Sequence, residues 1–160
     1  MTTLWRISAS PSLEGRAAEF ASGRWHTAES GKRIVYLSEH PALALVETLV
    51  NLQFGAAIMP ATYWLTRVGV DSKETVQTLE TSHLPAEWRD QLATTRALGD
   101  AWLAERSSAL LRIPSAPVPE SFNYLLNLRH PHAGSVKAQW QRQLNYDRRL
   151  FRLMPPASAR

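Results

Sequence analysis

The irregular alternation of short strand-like runs with helical segments is the feature that most restricts the fold of this chain. Four runs are short, apolar and rich in β-branched or aromatic residues, which is typical of strands. They lie between helical segments without the regular spacing of βαβ units, which favours an α+β fold with a mixed, mainly antiparallel sheet and flanking helices. The strand predictions cover residues 4–7, 33–37, 62–68 and 109–113, and residues 144–151 fit a fifth strand, an edge strand or a loop.

Three segments predict helices. Residues 41–53 follow capping candidates, have a proline near the first helical position and continue through good helix formers. Residues 85–92 also open on a proline, and residues 94–105 carry apolar side chains at helical spacing. No repeat or linker-like tract interrupts the chain, so we expect a single domain over residues 1–160.

The composition excludes several classes of protein. With 160 residues, of which 44% are hydrophobic, the chain can bury a core around a concave site. No apolar run approaches the roughly 20 residues that span a bilayer, and the N-terminus has no secretion signal, so we expect a soluble, cytoplasmic protein without a membrane partner. The absence of cysteine excludes disulfides and thiolate nucleophiles. His130 and His132 lack convincing partners for zinc, so no metal site is expected.

The formal net charge of +4 suits a nucleic acid, a phosphate-bearing small ligand or an acidic protein. The basic residues are dispersed except near the end of the chain, and no zinc-finger spacing or RNA-reading aromatic motif accompanies them. Direct nucleic-acid binding is therefore not expected. The sequence also lacks the patterns G-x-S-x-G, G-x-x-x-x-G-K-[ST], G-x-G-x-x-G and H-E-x-x-H. It therefore has no signature of the enzyme classes that usually carry these patterns.

Glu47 is the most informative single position. It interrupts an apolar helical stripe. The stripe consists of residues that follow one another at spacings of three and four, namely Leu43, Val46, Val50 and Phe54. A carboxylate there must reach an edge, find hydrogen-bond donors or face a cavity where its charge is useful, because burial without a partner costs several kcal/mol. The helix alone leaves open a purely structural glutamate that flanks the stripe or pairs with an arginine.

Arg24 and Tyr36 point towards a ligand-binding cleft. Arg24 lies in an irregular segment over residues 23–31, and Tyr36 lies on the strand directly before the helix that carries Glu47, so the three can line one cleft. An arginine fork matches phosphate oxygens, and a tyrosine offers a flat face and a hydroxyl. The alternatives are a surface or salt-bridging arginine and a partly buried strand aromatic.

Ser115 and Asn123 are two further candidates. Ser115 follows a predicted strand in a proline-rich turn, residues 112–120, where it could hydrogen-bond a ligand or a catalytic side chain, or serve only the turn. Asn123 and Asn127 place amides in a segment predicted to be a loop, and Asn123 is included among the ligand-binding candidates.

The ordered set of segments resembles the RES domain family, the toxins of RES/Xre toxin-antitoxin systems, over nearly the whole chain. The resemblance implies an ADP-ribosyltransferase-like fold and consumption of NAD, which is a substrate here, so no separate cofactor is expected. It also implies a homodimer within a larger complex and neutralisation by an Xre-type helix-turn-helix antitoxin. The matching segments are residues 4–7, 23–25, 35–39, 44–47, 99–103, 113–116, 123–127, 130–131 and 146–148.

The resemblance assigns the family's arginine, glutamate and serine to Arg24 or Arg6, Glu47 and Ser115. On this basis Glu47 would stabilise the ribose as the bond to nicotinamide breaks, and Tyr36 would stack on or orient the nicotinamide. Arg24 and Arg6 would hold the pyrophosphate, and Ser115 would position Glu47 or the ribose. The expected function is a toxin that degrades NAD as a glycohydrolase or phosphorylase. An ADP-ribosyltransferase that modifies a cellular protein and a nonenzymatic nucleic-acid-binding module stay open as alternatives.

Overall fold

The computed structural model of the chain describes residues 1–52, 61–71 and 76–152. Within these ranges the backbone forms seven strands and three α-helices, joined by turns and short 3-10 segments. None of the described helices is long and apolar enough to cross a membrane. The strands are β1 (Thr2–Ser8), β2 (Ile34–Ser38), β3 (Thr62–Val70), β4 (Val76–Thr78), β5 (Leu110–Pro114), β6 (Phe122–Asn127) and β7 (Val136–Asn145), and the helices are α1 (Pro41–Asn51), α2 (Leu92–Glu105) and α3 (Arg149–Arg152).

The described strands form one sheet in the order β4-β5-β6-β2-β1-β3-β7. The β4–β5 pair is parallel, and the other five neighbouring pairs are antiparallel. The predicted α+β class with a mixed, mainly antiparallel sheet is therefore confirmed. Near the middle of the order, β1 and β2 pair with Trp5 opposite Ser38, and β2 and β6 pair with Ser38 opposite Asn123.

The two faces of the sheet carry separate apolar clusters. Alternate residues of a strand point to opposite faces, so Val35 and Leu37 join one cluster, whereas Ile34 joins the other. The second cluster is built around three buried tryptophans, and Tyr36 packs against its edge. The period of two places Ser38 on the same face as Tyr36. The tryptophans of this cluster are Trp25, Trp88 and Trp102.

Most predicted elements are confirmed. The four strand predictions correspond to β1, β2, β3 and β5, and the prediction over residues 94–105 corresponds to α2. The helix predicted over residues 41–53 is α1, which begins at Pro41 with the His40 side chain accepting a hydrogen bond from the Ala42 amide, and which ends at Asn51. Residue 53 lies outside the described residues.

The helix predicted over residues 85–92 is wrong. The segment consists of turns in which the amides of Trp88, Asp90 and Gln91 bond to carbonyls three residues earlier, and α2 begins only at Leu92. Tertiary contacts hold these turns: Trp88 is 1% exposed in the core, and Arg89 Nε donates to the Ala116 carbonyl at 3.1 Å. Helix propensity is a weak preference that such packing overrides.

Two other segments differ from the predictions. The loop predicted at residues 123–127 is strand β6, whose backbone pairs with β2 on one side and β5 on the other. The ambiguous segment 144–151 contains only the end of β7, followed by α3. Most of strand β7 was not predicted, because it is an edge strand whose residues are mostly exposed and polar. Its sequence therefore shows no alternation of apolar and polar residues.

Candidate active site

The carboxylate of Glu47 is held by two neutral donors from distant parts of the chain. Ser115 Oγ donates to Glu47 Oε1 at 2.8 Å, and Asn123 Nδ2 donates to the same oxygen at 2.6 Å. Helix α1 supplies the acid, the turn after β5 supplies the serine, and β6 supplies the amide. Within the described part of the chain Glu47 Oε2 receives no hydrogen bond from a side chain, so this oxygen is open to a ligand.

The apolar stripe that marked Glu47 is only partly buried. Leu43 is in the core, but Val50 is 57% exposed, and Phe54 lies outside the described residues. Val50 is exposed because the last turn of α1 borders a cavity that Glu47 also lines. The apolar stripe is therefore buried at Leu43 and exposed at Val50, and the Glu47 carboxylate within it finds two donors.

A chain of hydrogen bonds fixes the orientation of both donors. Asn123 Oδ1 accepts from Ser38 Oγ at 2.7 Å, so its amide nitrogen must face Glu47. Ser115 is fully buried, and its hydroxyl accepts from the Val118 amide at 3.2 Å while it donates to the acid. The network leaves the carboxylate little freedom to rotate.

The hydroxyl of Tyr36 is fully engaged by the protein. It accepts from the Trp25 amide at 3.1 Å and lies 2.8 Å from His26 Nδ1. His26 Nε2 lies 2.9 Å from the Ala21 carbonyl, which can only accept, so Nε2 carries the hydrogen and Nδ1 receives the proton of Tyr36. Burial raises the pKa of Tyr36 well above its usual range, which keeps the phenol in its neutral, donating form.

Gly23 makes room for this arrangement. A Cβ atom at position 23 would lie 2.5 Å from Tyr36 Oη and 2.9 Å from the His26 ring, which is closer than real Cβ contacts allow. The segment that includes Gly23 is tied to α2, because Arg96 Nε donates to the Gly23 carbonyl at 2.9 Å and Thr95 Oγ1 donates to the Arg24 carbonyl at 2.7 Å. Helix α2 therefore sets the position of Arg24 and Tyr36 relative to each other.

Three cavities adjoin at Tyr36. The first, here called the Arg24 cavity, has a volume of about 680 Å³, and its lining includes Arg24, Tyr36, Glu47, Arg89 and Asn123. The second, the Trp5 cavity, has a volume of about 310 Å³, and its lining includes Trp5, Arg6, Tyr36, Glu47 and Asn123. The third, the Ser12 cavity, has a volume of about 430 Å³, and its lining includes Arg6, Ser12, His26 and Tyr36.

The two predicted phosphate-binding arginines line different cavities. Arg24 Nη1 donates to the Arg89 carbonyl at 2.7 Å, and its side chain borders the Arg24 cavity. Arg6 lies on β1 and borders the Trp5 and Ser12 cavities. Arg6 Nε is buried without a hydrogen-bond partner in the described structure, and burial lowers the pKa of Arg6.

The structure thus brings four predicted residues to the wall of the Arg24 cavity: Glu47, Tyr36, Arg24 and Asn123. Ser115 is buried and contacts this wall through Glu47, and Arg6 lines the other two cavities. Sequence reasoning missed three residues of the site. Ser38 could have been found from its spacing of two from Tyr36 along one strand, whereas His26 and Arg89 carry no comparable signal.

The two histidines that were considered as zinc ligands lie next to each other. The rings of His130 and His132 pack edge to face, with centroids 5.4 Å apart. In the described ranges no group of three or more histidine, aspartate or glutamate side chains is arranged to hold a metal ion.

The order of these residues along the chain matches a known domain. The sequence pattern of the RES domain matches residues 3–149. The chain belongs to the RES domain family. Toxin Res of Pseudomonas putida (strain KT2440) is 40% identical to it over 92% of this chain and 99% of the relative. The Prs ADP-ribosylating toxin of Sphingobium sp. (strain YBL2) is 33% identical over 94% and 98% of the two chains. The resemblance to RES toxins found in the sequence is therefore confirmed.

A solved structure supports the architecture. The chain superposes on a chain of the MbcT–MbcA toxin–antitoxin complex of M. tuberculosis with a TM-score of 0.64, covering 90% of this chain and 84% of the other at 17% sequence identity. At that identity the likeness concerns the fold, which agrees with the predicted fold class.

Proposed function

We propose that this RES domain protein is a toxin that consumes NAD by breaking the bond between nicotinamide and ribose. The observation that carries the proposal is the Glu47 carboxylate at the wall shared by the Trp5 and Arg24 cavities. Two neutral donors hold one of its oxygens and leave its charge unneutralised. The name of the Sphingobium relative adds support, because ADP-ribosylation begins by breaking the same bond.

In this proposal Glu47 stabilises a sugar that becomes cationic. Nicotinamide in NAD is already a positively charged leaving group, so the C1′–N bond can break with both electrons passing to nicotinamide. The ribose then acquires oxocarbenium character, and a fixed carboxylate stabilises it, as in glycosidases. Oε2 is the oxygen available to the ribose hydroxyls, because Oε1 already accepts two hydrogen bonds.

The other site residues bind and position in this proposal. Tyr36 presents its ring to the nicotinamide, since its hydroxyl is engaged by Trp25 and His26. Arg24 contacts the phosphates. Ser115 acts as a positioning residue for Glu47 instead of touching the ribose, because it is fully buried. Asn123 positions Glu47 through its hydrogen bond and can also contact the ligand, because it borders two cavities.

The fate of the ribose distinguishes the reactions that this site could perform. Attack by water would give ADP-ribose and release one proton, attack by phosphate would give ADP-ribose-1″-phosphate, and attack by a protein side chain would give a modified protein. ADP-ribose transfer is the second candidate function, and the name of the Sphingobium relative favours it. Purified protein is to be incubated with labelled NAD alone, with phosphate, and with cell extract.

Glu47→Gln tests the catalytic assignment. The substitution keeps the shape and removes the charge, so we expect NAD consumption to fall about 100-fold or more. Glu105→Gln, at the exposed end of α2, is the matched control and should leave the rate unchanged. Product formation is measured by chromatography, after circular dichroism has shown that both variants are folded. A Glu47→Gln protein as active as the parent protein would refute the assignment.

We also propose that the protein works within a toxin–antitoxin pair as a homodimer, neutralised by an Xre-type antitoxin. The likeness to a toxin solved in complex with its antitoxin supports a protein partner. Co-expression with a cognate Xre-type antitoxin should suppress NAD loss in cells. Light scattering on the purified protein measures whether it is a dimer, and a monomeric mass would contradict that part of the proposal.

A further inference from the structure

Arg89 and Arg24 lie over the same tryptophan ring, an arrangement that was not predicted from the sequence. Both guanidinium groups lie over the ring of Trp88, with Arg89 Cζ 4.9 Å and Arg24 Cζ 5.8 Å from its centroid. Trp88 is 1% exposed, so its ring is a rigid support. Both arginines also line the Arg24 cavity together with Glu47. Two cations are thus fixed on one wall of the proposed reaction site.

Backbone carbonyls hold each arginine and leave most of its donors unused. Arg24 Nη1 donates to the Arg89 carbonyl at 2.7 Å, and Arg89 Nε donates to the Ala116 carbonyl at 3.1 Å. These bonds orient both guanidinium groups, and they use only one Nη1 hydrogen of Arg24 and the Nε hydrogen of Arg89. On Arg89 the two Nη groups make no hydrogen bond to the described residues.

Neither positive charge is paired with an acidic side chain in the part of the chain that the structure describes. The ion pairs of the described ranges involve other residues, and neither Arg24 nor Arg89 takes part in one. Asp90 also lines the cavity, but it forms no ion pair with either arginine. Two like charges near one aromatic ring repel each other, and a dianionic ligand would remove that repulsion.

We infer that Arg89 is a second phosphate-binding residue and that Arg24 and Arg89 together form a site for the diphosphate group of a dinucleotide. The inference rests on the proposed function, because it places that diphosphate within the cavity that Glu47 borders. Arginine forks suit the paired oxygens of adjacent phosphates better than a single cation does. The inference assigns the diphosphate to Arg24 and Arg89 in preference to Arg6, because Arg6 lines the other two cavities.

The test measures the affinity for ADP-ribose, which carries the diphosphate but no bond that the enzyme is proposed to cleave. A hydrogen bond to a charged group contributes about 1.5–3 kcal/mol, so Arg89→Gln should weaken binding about 10-fold or more in calorimetry. Arg89→Lys keeps the charge and should recover part of the affinity. In steady-state assays Arg89→Gln should raise the KM for NAD with a much smaller change in kcat.

Arg142→Gln is the matched control. Arg142 also lies over a tryptophan, with Cζ 5.4 Å from the Trp140 ring, but it is exposed on edge strand β7. The Arg142→Gln substitution lowers the net charge by the same amount as Arg89→Gln and should leave the affinity for ADP-ribose unchanged. Thermal unfolding of each variant shows whether a loss of affinity reflects a loss of fold, and Arg89→Lys repeats the test if Arg89→Gln is unstable.

The outcomes separate the inference from the proposed function. Parent-like affinity in both Arg89 variants, or an equal loss in Arg142→Gln, would overturn the inference while NAD turnover could still stand. Weaker binding in Arg6→Gln but not in Arg89→Gln would overturn it as well. Arg89-dependent binding of ADP-ribose by a protein that never turns over NAD would support the site and refute the reaction.

Discussion

Ser115 is fully buried, yet its hydroxyl donates a hydrogen bond to the carboxylate of Glu47, which borders two cavities. At the scale of single residues, the site consists of an outer group of side chains that a ligand can touch and an inner group that orients them. Asn123 links the two groups, because Ser38 fixes its amide and its amide fixes Glu47. Activity should therefore respond to residues that never contact the substrate.

Ser115→Ala tests this dependence. The change removes one of the two donors to Glu47 Oε1, and a hydrogen bond to a charged group contributes about 1.5–3 kcal/mol. We expect kcat for NAD consumption to fall about 10-fold while KM changes little, since the buried serine cannot touch the substrate. A variant that changes KM alone would show that Ser115 binds the ligand directly.

At the scale of elements, α2 positions the site through its contact with the segment that carries Arg24. Gly99 permits this contact, because a Cβ atom there would lie 1.8 Å from the Trp25 carbonyl oxygen. The neighbouring threonine and arginine of α2 then bond to the carbonyls of Arg24 and Gly23. A shift of the helix would therefore move Gly23 and Arg24, the two residues that precede Trp25.

Gly99→Ala should destabilise the protein, although alanine favours helices. The backbone clash forces α2 away from Trp25, and overpacking of this kind costs about 1–3 kcal/mol. For a chain of this length the melting temperature should fall by about 2–12 °C in calorimetry. Gly134→Ala is the control, because nothing lies within 4 Å of its added Cβ. Equal melting temperatures for the two variants would disprove the close approach.

The elements that could be predicted from sequence are those whose own residues dictate them. β2 shows apolar and β-branched residues, and α1 shows a proline near its first turn, so both were found. β6 was missed because its two asparagines suggest a loop, whereas Asn127 is 1% exposed and bonds to the Leu103 carbonyl. The turn that carries Arg89 depends on the burial of Trp88, which no local pattern reveals.

At the scale of the whole molecule, the site lies where distant parts of the sheet and helices meet. Glu47 and Tyr36 were predicted to share a cleft because one strand and the next helix connect them. The contacts with Ser115 and Asn123 could not be derived in the same way, since they depend on the order of strands in the sheet. The family resemblance offered Glu47 as one of two possible partners of Ser115, whereas the contact between Asn123 and Glu47 was not predicted.

Stability should depend on pH through His26. Burial lowers the pKa of His26, and the nearby cations Lys32 and Arg96 lower it further, although the Ala21 carbonyl and the Asp100 carboxylate oppose this. The unfolded chain then binds the proton more readily, so the free energy of unfolding should fall as the pH drops below about 6.5. Urea unfolding between pH 7 and pH 5 measures the slope. His26→Gln should flatten it, and an unchanged slope would refute the role of His26.

The two anchors of Glu47 lie 68 and 76 residues further along the chain than the acid itself. During synthesis the acid therefore leaves the ribosome well before either partner exists. A nascent or truncated chain that ends ahead of Ser115 lacks both donors to Glu47, so the carboxylate can take up its final orientation only late in translation.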